Sequence, residues 1–226
     1  MKKILVIDVG GTNVKVLARG HTEPIKIPSG PQMTPALMTE KVQEATRDWD
    51  YDAISVGFPA PVLHNKPLSE PHNLGAGWVG FDLSAHFGKP VKMINDAAMQ
   101  AIGSYEGGRM LFLGLGTGLG STLIVNHVVA PLELAHLPYR KRRTFEDYVG
   151  QRGLDRLGKK RWRCFVADVI KRLKNALVAD YVVLGGGNAK KLKELPEGVR
   201  LGDNYNAFIG GYRMWEHEEL SRACEG

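Results

Sequence analysis

Residues 3–9 read KILVIDV, a short apolar run rich in β-branched side chains, and predict a buried strand. Gly10, Gly11, Thr12 and Asn13 follow as a turn. Residues 14–18 then return to apolar/polar alternation, so the turn leads into a second strand and not into a helix. A third strand is expected near residues 24–28. Residues 34–49 have helical spacing, with Pro35 suited to the first turn. Residues 53–58 form another buried strand. The Pro- and Gly-rich stretch 59–80 is too long for a plain connector and is read as functional. A strand at 91–95 runs directly into a helix at 96–105.

The opening pattern then recurs. Residues 110–115 are an apolar strand, residues 116–120 read GTGLG, and residues 121–125 are again a strand. Two strand–glycine turn–strand units about a hundred residues apart look like an internal repeat. Trp162, Phe165, Val166, Val169, Ile170, Leu173 and Leu177 lie at helical spacing and predict an amphipathic helix over 159–177. A strand at 181–184 ends in Gly185, Gly186, Gly187 and Asn188, with a short helix after it. A closing helix is expected at 206–220. Strands mixed with helices throughout give an α/β class. The division that suits the repeat is an N-terminal lobe, residues 1–96, and a C-terminal lobe, residues 97–226.

Composition narrows the class without naming a chemistry. Apolar residues make up 43% of the 226 positions and charged ones 24%, as in ordinary soluble proteins. No apolar run is long enough to span a bilayer. Met1, Lys2 and Lys3 lead straight into the first strand, without the apolar segment of a signal peptide, so a cytoplasmic protein is expected. The two cysteines have no metal-ligand spacing. Cys164 is placed among the buried positions of its helix and Cys224 in a polar tail, both as reduced thiols, and no structural zinc is expected. Residues 140–200 hold 17 Lys/Arg against 7 Asp/Glu. That excess fits an anionic ligand or a solvated basic surface. Nucleic acid ranks last as a partner, because the charge runs lack a binding motif and interleaved aromatics.

Five stretches carry candidate chemistry. Glycines let backbone N–H groups approach an anion, and a hydroxyl such as Thr12 adds a donor. Gly10, Gly11, Thr12 and Asn13 are therefore one candidate phosphate loop, with Asp8 placed to hold a cation. Taken alone, they favour a plain hairpin turn. The second loop, Gly116, Thr117 and Gly118, lies in a run with four alternating glycines from Gly114 to Gly120, a density that a turn does not need. Asn95 and Asp96 sit at a strand's carboxyl end, where α/β sheets place ligands. A carboxylate there can take a hydroxyl proton, although alone Asp96 favours a helix N-cap. Glu133 and His136 are polar positions in an apolar stretch and can hold hydroxyls of a polar ligand. Gly186 and Gly187 fit close packing against a nucleotide or a simple strand-to-helix turn.

In order, IDVGGTNVK, VGFPAPV, HNLGAGW, NDAA, LGLGTGLGS, ELAH and LGGG resemble the ROK kinases, and among them the polyphosphate/ATP glucokinases. The resemblance runs from about residue 4 to residue 212. It implies the two-lobed actin-like ATPase (ribonuclease H-like) fold, with mixed sheets and an interlobe cleft. It implies phosphoryl transfer from polyphosphate or ATP to the 6-hydroxyl of glucose or a similar hexose, with Mg²⁺. Asp96 would be the base, and Asn73, Asn95, Glu133 and His136 would hold the sugar. Asp8, the two glycine loops, and Gly186 with Gly187 would surround metal, phosphates and the nucleotide end. A homodimer is among the assemblies the resemblance allows. The chain departs from the family at Ala60, Ala98 and Ala135. It carries residues 138–143 where many relatives have a cysteine-rich zinc loop, and no helix-turn-helix region precedes Ile4. The competing reading is a sugar or phosphate sensor with the same fold.

Overall fold

Two five-stranded sheets carry the fold, and both follow one plan. The computed structural model describes residues 2–216. In the first sheet β1 (Ile4–Val9), β2 (Asn13–Ala18) and β3 (Ile25–Pro28) form an antiparallel meander. After helix α1 (Pro35–Ala45), strand β4 (Ala53–Phe58) joins β1 in parallel. A small hairpin, β5 (Val62–Leu63) and β6 (Lys66–Pro67), and helix α2 (Leu83–Phe87) occupy the crossover to β7 (Val91–Asn95), which lies parallel to β4. Helix α3 (Asp96–Ser104) then leads into the second sheet.

There β8 (Arg109–Leu115), β9 (Leu119–Val125) and β10 (Val128–Leu132) repeat the meander. A 3₁₀ turn at Leu134–His136 follows. The hairpin of β11 (Pro138–Arg140) and β12 (Arg143–Thr144), then helices α4 (Glu146–Val149) and α5 (Gln151–Ala176), lead to β13 (Tyr181–Gly185). Strand β13 pairs with β8 in parallel. A second 3₁₀ turn (Ala189–Lys191), β14 (Val199–Leu201) and α6 (Asn206–Arg213) are the last elements among the described residues. Strand orders are β3-β2-β1-β4-β7 and β10-β9-β8-β13-β14. The repeat read from two glycine turns thus extends to two whole sheets with matching order and direction.

The apolar runs explain the layering. Every residue of β1 and β4 is buried, as parallel strands covered on both faces require. Helix α1 packs Met38 and Val42 over one face of the first sheet, and α5 packs Trp162, Val166, Val169, Ile170 and Leu173 over the second. Between the sheets lies a third cluster built on α3 and α6. These two helices cross at Gly103 and Gly210, where a side chain on either would collide with the other helix's backbone. Helix α6 is fastened to the first sheet by Ser55, whose hydroxyl donates to Gly211 O at 2.6 Å.

Several expectations change. Cys164 is exposed, because it points well away from the buried stripe of Trp162, Val166 and Val169 on a 3.6-residue helix. Helix α1 stops at Ala45, short of residue 49. Helix α5 begins at Gln151, with Gly158 at φ 71° breaking it before the segment that the spacing predicts. Strands β10 and β14 and helix α2 are short elements that the periodicity did not reveal. Cys224 and residues 217–220 of the expected closing helix lie outside the described residues. Among the described residues no helix is long and apolar enough to cross a membrane.

Candidate active site

The site forms where the first turn of α3 meets one strand from each sheet. Gly57 on β4 and Gly120 on β9 flank that turn. A Cβ on Gly120 would lie 2.8 Å from the Ala97 Cβ, and one on Gly57 would lie 3.5 Å from the Asp96 Cα while pressing on Met99. Small residues on both sheets therefore let the helix end approach closely. Asn95, not Asp96, caps the helix: its Oδ1 accepts from Ala97 N at 3.0 Å and Ala98 N at 3.3 Å. Its amide nitrogen donates to Phe58 O and Ala60 O at 3.4 and 3.3 Å. Asn95 thus spends both ends of its amide on the protein and acts as a brace for Asp96.

Asp96 is the first helical residue, and its Oδ1 accepts from Ala97 N at 2.7 Å. Burial pushes its carboxyl up to about 7, and the charges of Asp8 and Glu133 push in the same direction against the backbone hydrogen bond. Asp8 lies one strand away from Gly57, its ladder partner on β4. On its other side stands Lys15 of β2, whose Nζ is 3.2 Å from Asp8 Oδ2. Lys15 was not singled out in the sequence, although its position two residues beyond the first turn places it opposite Asp8 in a hairpin.

The first glycine turn is closed by a bond from Gly10 N to Asn13 O at 3.1 Å. Ser29 secures it from β3's end: its hydroxyl donates to Gly10 O at 2.6 Å and its N–H to Thr12 O at 3.0 Å. Two carbonyls that would repel an anion are thereby satisfied. Thr12 is exposed at the tip. Asn73 comes from the long loop to lie against this turn, its Cβ 2.8 Å from where a Cβ on Gly11 would stand. The loop that carries Asn73 is fixed by Glu70, which accepts from Trp78 N and Val79 N at 3.1 and 3.2 Å.

The second turn, Gly116–Gly118, closes with Gly116 N donating to Gly118 O at 3.1 Å, and Thr117 is exposed. Glu146, at the start of α4, reaches this turn. Its Oε2 accepts from Leu119 N at 3.2 Å, and its other oxygen accepts from Arg152 at 3.2 Å. A Cβ at 118 would collide with the Glu146 Oε2, so a larger residue there would push that carboxylate aside. Nothing in the local sequence around Glu146 signalled this, because the contact spans two elements 27 residues apart. Gly186, at φ 80°, lies directly over Leu115 O, while Gly187 is open. Asn188, 5% exposed, ties the glycine regions together. Its N–H donates to Leu115 O at 2.9 Å and its amide to Gly116 O at 3.0 Å and Gln151 Oε1 at 3.0 Å.

Glu133 and His136 bracket the 3₁₀ turn that Ser121 anchors to β9, by accepting from Leu134 N at 3.2 Å. Both side chains are exposed, and between them Ala135 is buried against the α5 core, which accommodates its methyl. Ala98 is fully buried in the cluster around α3, where a polar side chain would lack a partner. Asp8 and Glu133 are both close enough to Asp96 to act on it electrostatically; among the described residues His136 forms no hydrogen bond or ion pair with the three, and Gly186 and Gly187 stand behind the second turn.

A single carboxylate such as Asp8, beside a turn of backbone N–H groups, is a donor set that Mg²⁺ can use when substrate phosphates and water complete its shell. Among the described residues there is no group of three or more metal-binding side chains. Asp8 fits such a shared site, with Lys15 as the competing cation.

No protein-family model matches this chain. The polyphosphate glucokinase of Mycobacterium tuberculosis is 25% identical over 211 residues, covering 82% of this chain and 77% of that protein. The crystal structure of inorganic polyphosphate/ATP-glucomannokinase from Arthrobacter sp. strain KM superposes with a TM-score of 0.80 at 22% identity, over 96% of this chain and all (100%) of that one. The ROK hexokinase from Thermus thermophilus gives a TM-score of 0.74 at 18% identity, over 95% and 99%. The chain has the mixed α/β fold of the ROK sugar kinases, the actin-like ATPase fold.

Proposed function

We propose that this chain is a glucokinase-type phosphotransferase that moves a phosphoryl group from polyphosphate, ATP or both to the 6-hydroxyl of glucose or a similar hexose. The observation that carries the reading is Asp96: a carboxylate raised to about 7, braced by Asn95 at the junction of both sheets, with a glycine turn from each sheet nearby. The similarity to a polyphosphate glucokinase along most of the chain supports the same reading.

In this reading the sugar hydroxyl is held by Asn73, Glu133 and His136 and points at Asp96. Asp96 accepts the hydroxyl proton as the oxygen attacks the terminal phosphorus; the bond from that phosphorus to the rest of the donor breaks, ADP or the shortened polyphosphate leaves, and the proton ends on the Asp96 carboxyl. A base whose carboxyl titrates near neutrality is matched to that task. The N–H groups of the two turns and the hydroxyls of Thr12 and Thr117 hold the phosphates, so that catalysis is mainly positioning and charge stabilisation. Mg²⁺, when bound at Asp8, would supply neutralisation of phosphate charge. Lys15 supplies a fixed positive charge on the same carboxylate. Gly187, which is open, leaves room for the distal part of the donor, with Gly186 packed against Leu115 O behind it. We place the reaction in the cytoplasm, where sugar and donor are both available.

A sensor of the same fold would need no base, so the chemistry at Asp96 decides between the two. The test is a coupled assay for glucose 6-phosphate with ATP and polyphosphate in parallel, on the native protein and Asp96→Asn. Product with either donor, lost in the variant, is the expected result. No product with either donor, despite sugar binding, would favour the sensor.

A further inference from the structure

The internal repeat makes one conspicuous omission. The β4-to-β7 crossover of the first sheet carries helix α2, which packs beside α1. The matching β13-to-β14 crossover of the second sheet has only a 3₁₀ turn and coil. The flank of α5 is left uncovered, and a cleft of about 690 Å³ opens there, between the later half of α5 and residues 192–196. That volume is in the range of sites for small organic ligands.

Its lining is of two kinds. The floor is apolar, from Ile170, Leu192 and Pro196, and the rim carries Lys160, Arg163 and Lys193. Glu194 is the one acid on the wall. Among the described residues the Lys160 and Lys193 side chains form no hydrogen bond or ion pair. A bare inorganic polyanion would gain nothing from the floor, and a purely apolar molecule would desolvate the cations without pairing them. An anion with an apolar body satisfies both.

The cleft is also wired to the second glycine turn. Arg163 Nε donates to Lys191 O at 2.7 Å, Lys191 Nζ donates to Asn188 Oδ1 at 2.6 Å, and Asn188 Nδ2 donates to Gly116 O at 3.0 Å. We propose that this cleft is a second ligand site for a small organic anion with an apolar body, and that its occupancy is felt at the donor turn through Arg163, Lys191 and Asn188. The site stands without the kinase reading; the link to donor binding rests on it. An anion that recruits Arg163 loosens its hold on the Lys191 carbonyl, and the turn that Asn188 braces shifts with it.

The probe is 1-anilinonaphthalene-8-sulfonate, an anion with an aromatic body, followed by its fluorescence on the full chain. Saturable binding of one probe per chain is expected. Lys160→Glu with Lys193→Glu should weaken it by about tenfold or more. Ala167→Trp, at an exposed position lining the cleft, should block it by filling the space without touching the core. Circular dichroism and Tm confirm that both variants fold. Binding that survives both variants overturns the site. Displacement of the probe by ATP or polyphosphate in direct competition also overturns it, by making the cleft part of the donor site. In the assay, saturating probe should raise the donor KM about twofold or more and leave the sugar KM unchanged. An unchanged donor KM overturns the link. If no phosphoryl transfer is found at all, the fluorescence experiment still decides the site.

Discussion

Asp8 and Asp96 face each other across Gly57: Asp8 pairs with Gly57 in the β1–β4 ladder, and Gly57 lies under the Asp96 Cα. Desolvation raises the carboxyl that has no cation of its own, and the neighbouring negative charge adds to the rise. That carboxyl is Asp96, because Lys15 pairs with Asp8.

Asp96→Asn should reduce kcat by about 10²- to 10⁴-fold, the usual contribution of a positioned base. The sugar KM should stay close to the native value and the fold should hold, because Asn95 and not Asp96 caps α3. Steady-state kinetics with a circular dichroism melt checks both. Near-native turnover in the variant would remove Asp96 from the mechanism.

The same carboxyl sets two pH dependences. The base must be ionised, so kcat/KM for the sugar should fall as pH drops through about 7. Glu133→Gln removes a charge that raises Asp96, and the acid limb should move to lower pH even if KM rises. For stability the sign follows from proton binding. Asp96 is raised in the folded state, so the folded state binds the extra proton between the ordinary carboxylate range and about 7. The stability that this proton contributes is present at low pH and lost as pH rises through about 7. Asp96→Asn lacks the loss, so its Tm advantage over the native protein should grow from pH 5 to pH 8; a constant difference would contradict the shift.

Glu133→Ala and His136→Ala should each raise the sugar KM by about tenfold or more, with the donor KM little changed. Both side chains are exposed, so neither variant should cost measurable stability. Equal effects on both substrates would place these residues elsewhere.

The donor can be tested at the β11–β12 hairpin. Lys141 and Arg142 form its tip at positive φ, and Arg143 is exposed. Arg140 differs: it bonds Asp168 at 3.2 Å and stacks over Tyr139, so its loss would disturb packing. Replacing Lys141, Arg142 and Arg143 with Ser, while keeping Arg140, should raise the KM for long-chain polyphosphate several-fold, more than for ATP. The polyphosphate KM should also climb more steeply with salt. Equal salt slopes for the two donors would mark the hairpin as ordinary surface.

Gly210→Ala probes the scaffold under the site. A methyl there meets the α3 backbone at Met99 O, and the two helices must separate to admit it. A loss of roughly 1–3 kcal/mol is expected from such overpacking, read by denaturant unfolding. Because α3 carries Asp96, kcat should fall with it; a fully stable variant would mean that the helices slide apart without strain.

Local pattern determined a great deal of this protein. Runs such as ILVIDV and YVVLG specify buried strands because β-branched residues in a short apolar run fit no exposed element. The spacing of Trp162 to Leu173 specifies a helix face, and the glycine-dense turns at 10–13 and 116–120 mark close backbone approach wherever they lie. From these the α/β class and the repeat are readable, while Asp8, Asp96, Glu133 and His136 stand out as a set only through the ordered motifs that resemble the ROK kinases. Tertiary structure decided which of them meet. That Asn95 caps the helix and frees Asp96, that Lys15 answers Asp8, and that Glu146 and Asn188 reach the second turn all depend on contacts between elements. Cys164 is a different case: its exposure follows from the same helical spacing, which places it away from the stripe of Trp162, Val166 and Val169. Periodicity records which face of an element is buried, but the identity of the partner across that face is set only when the chain closes on itself.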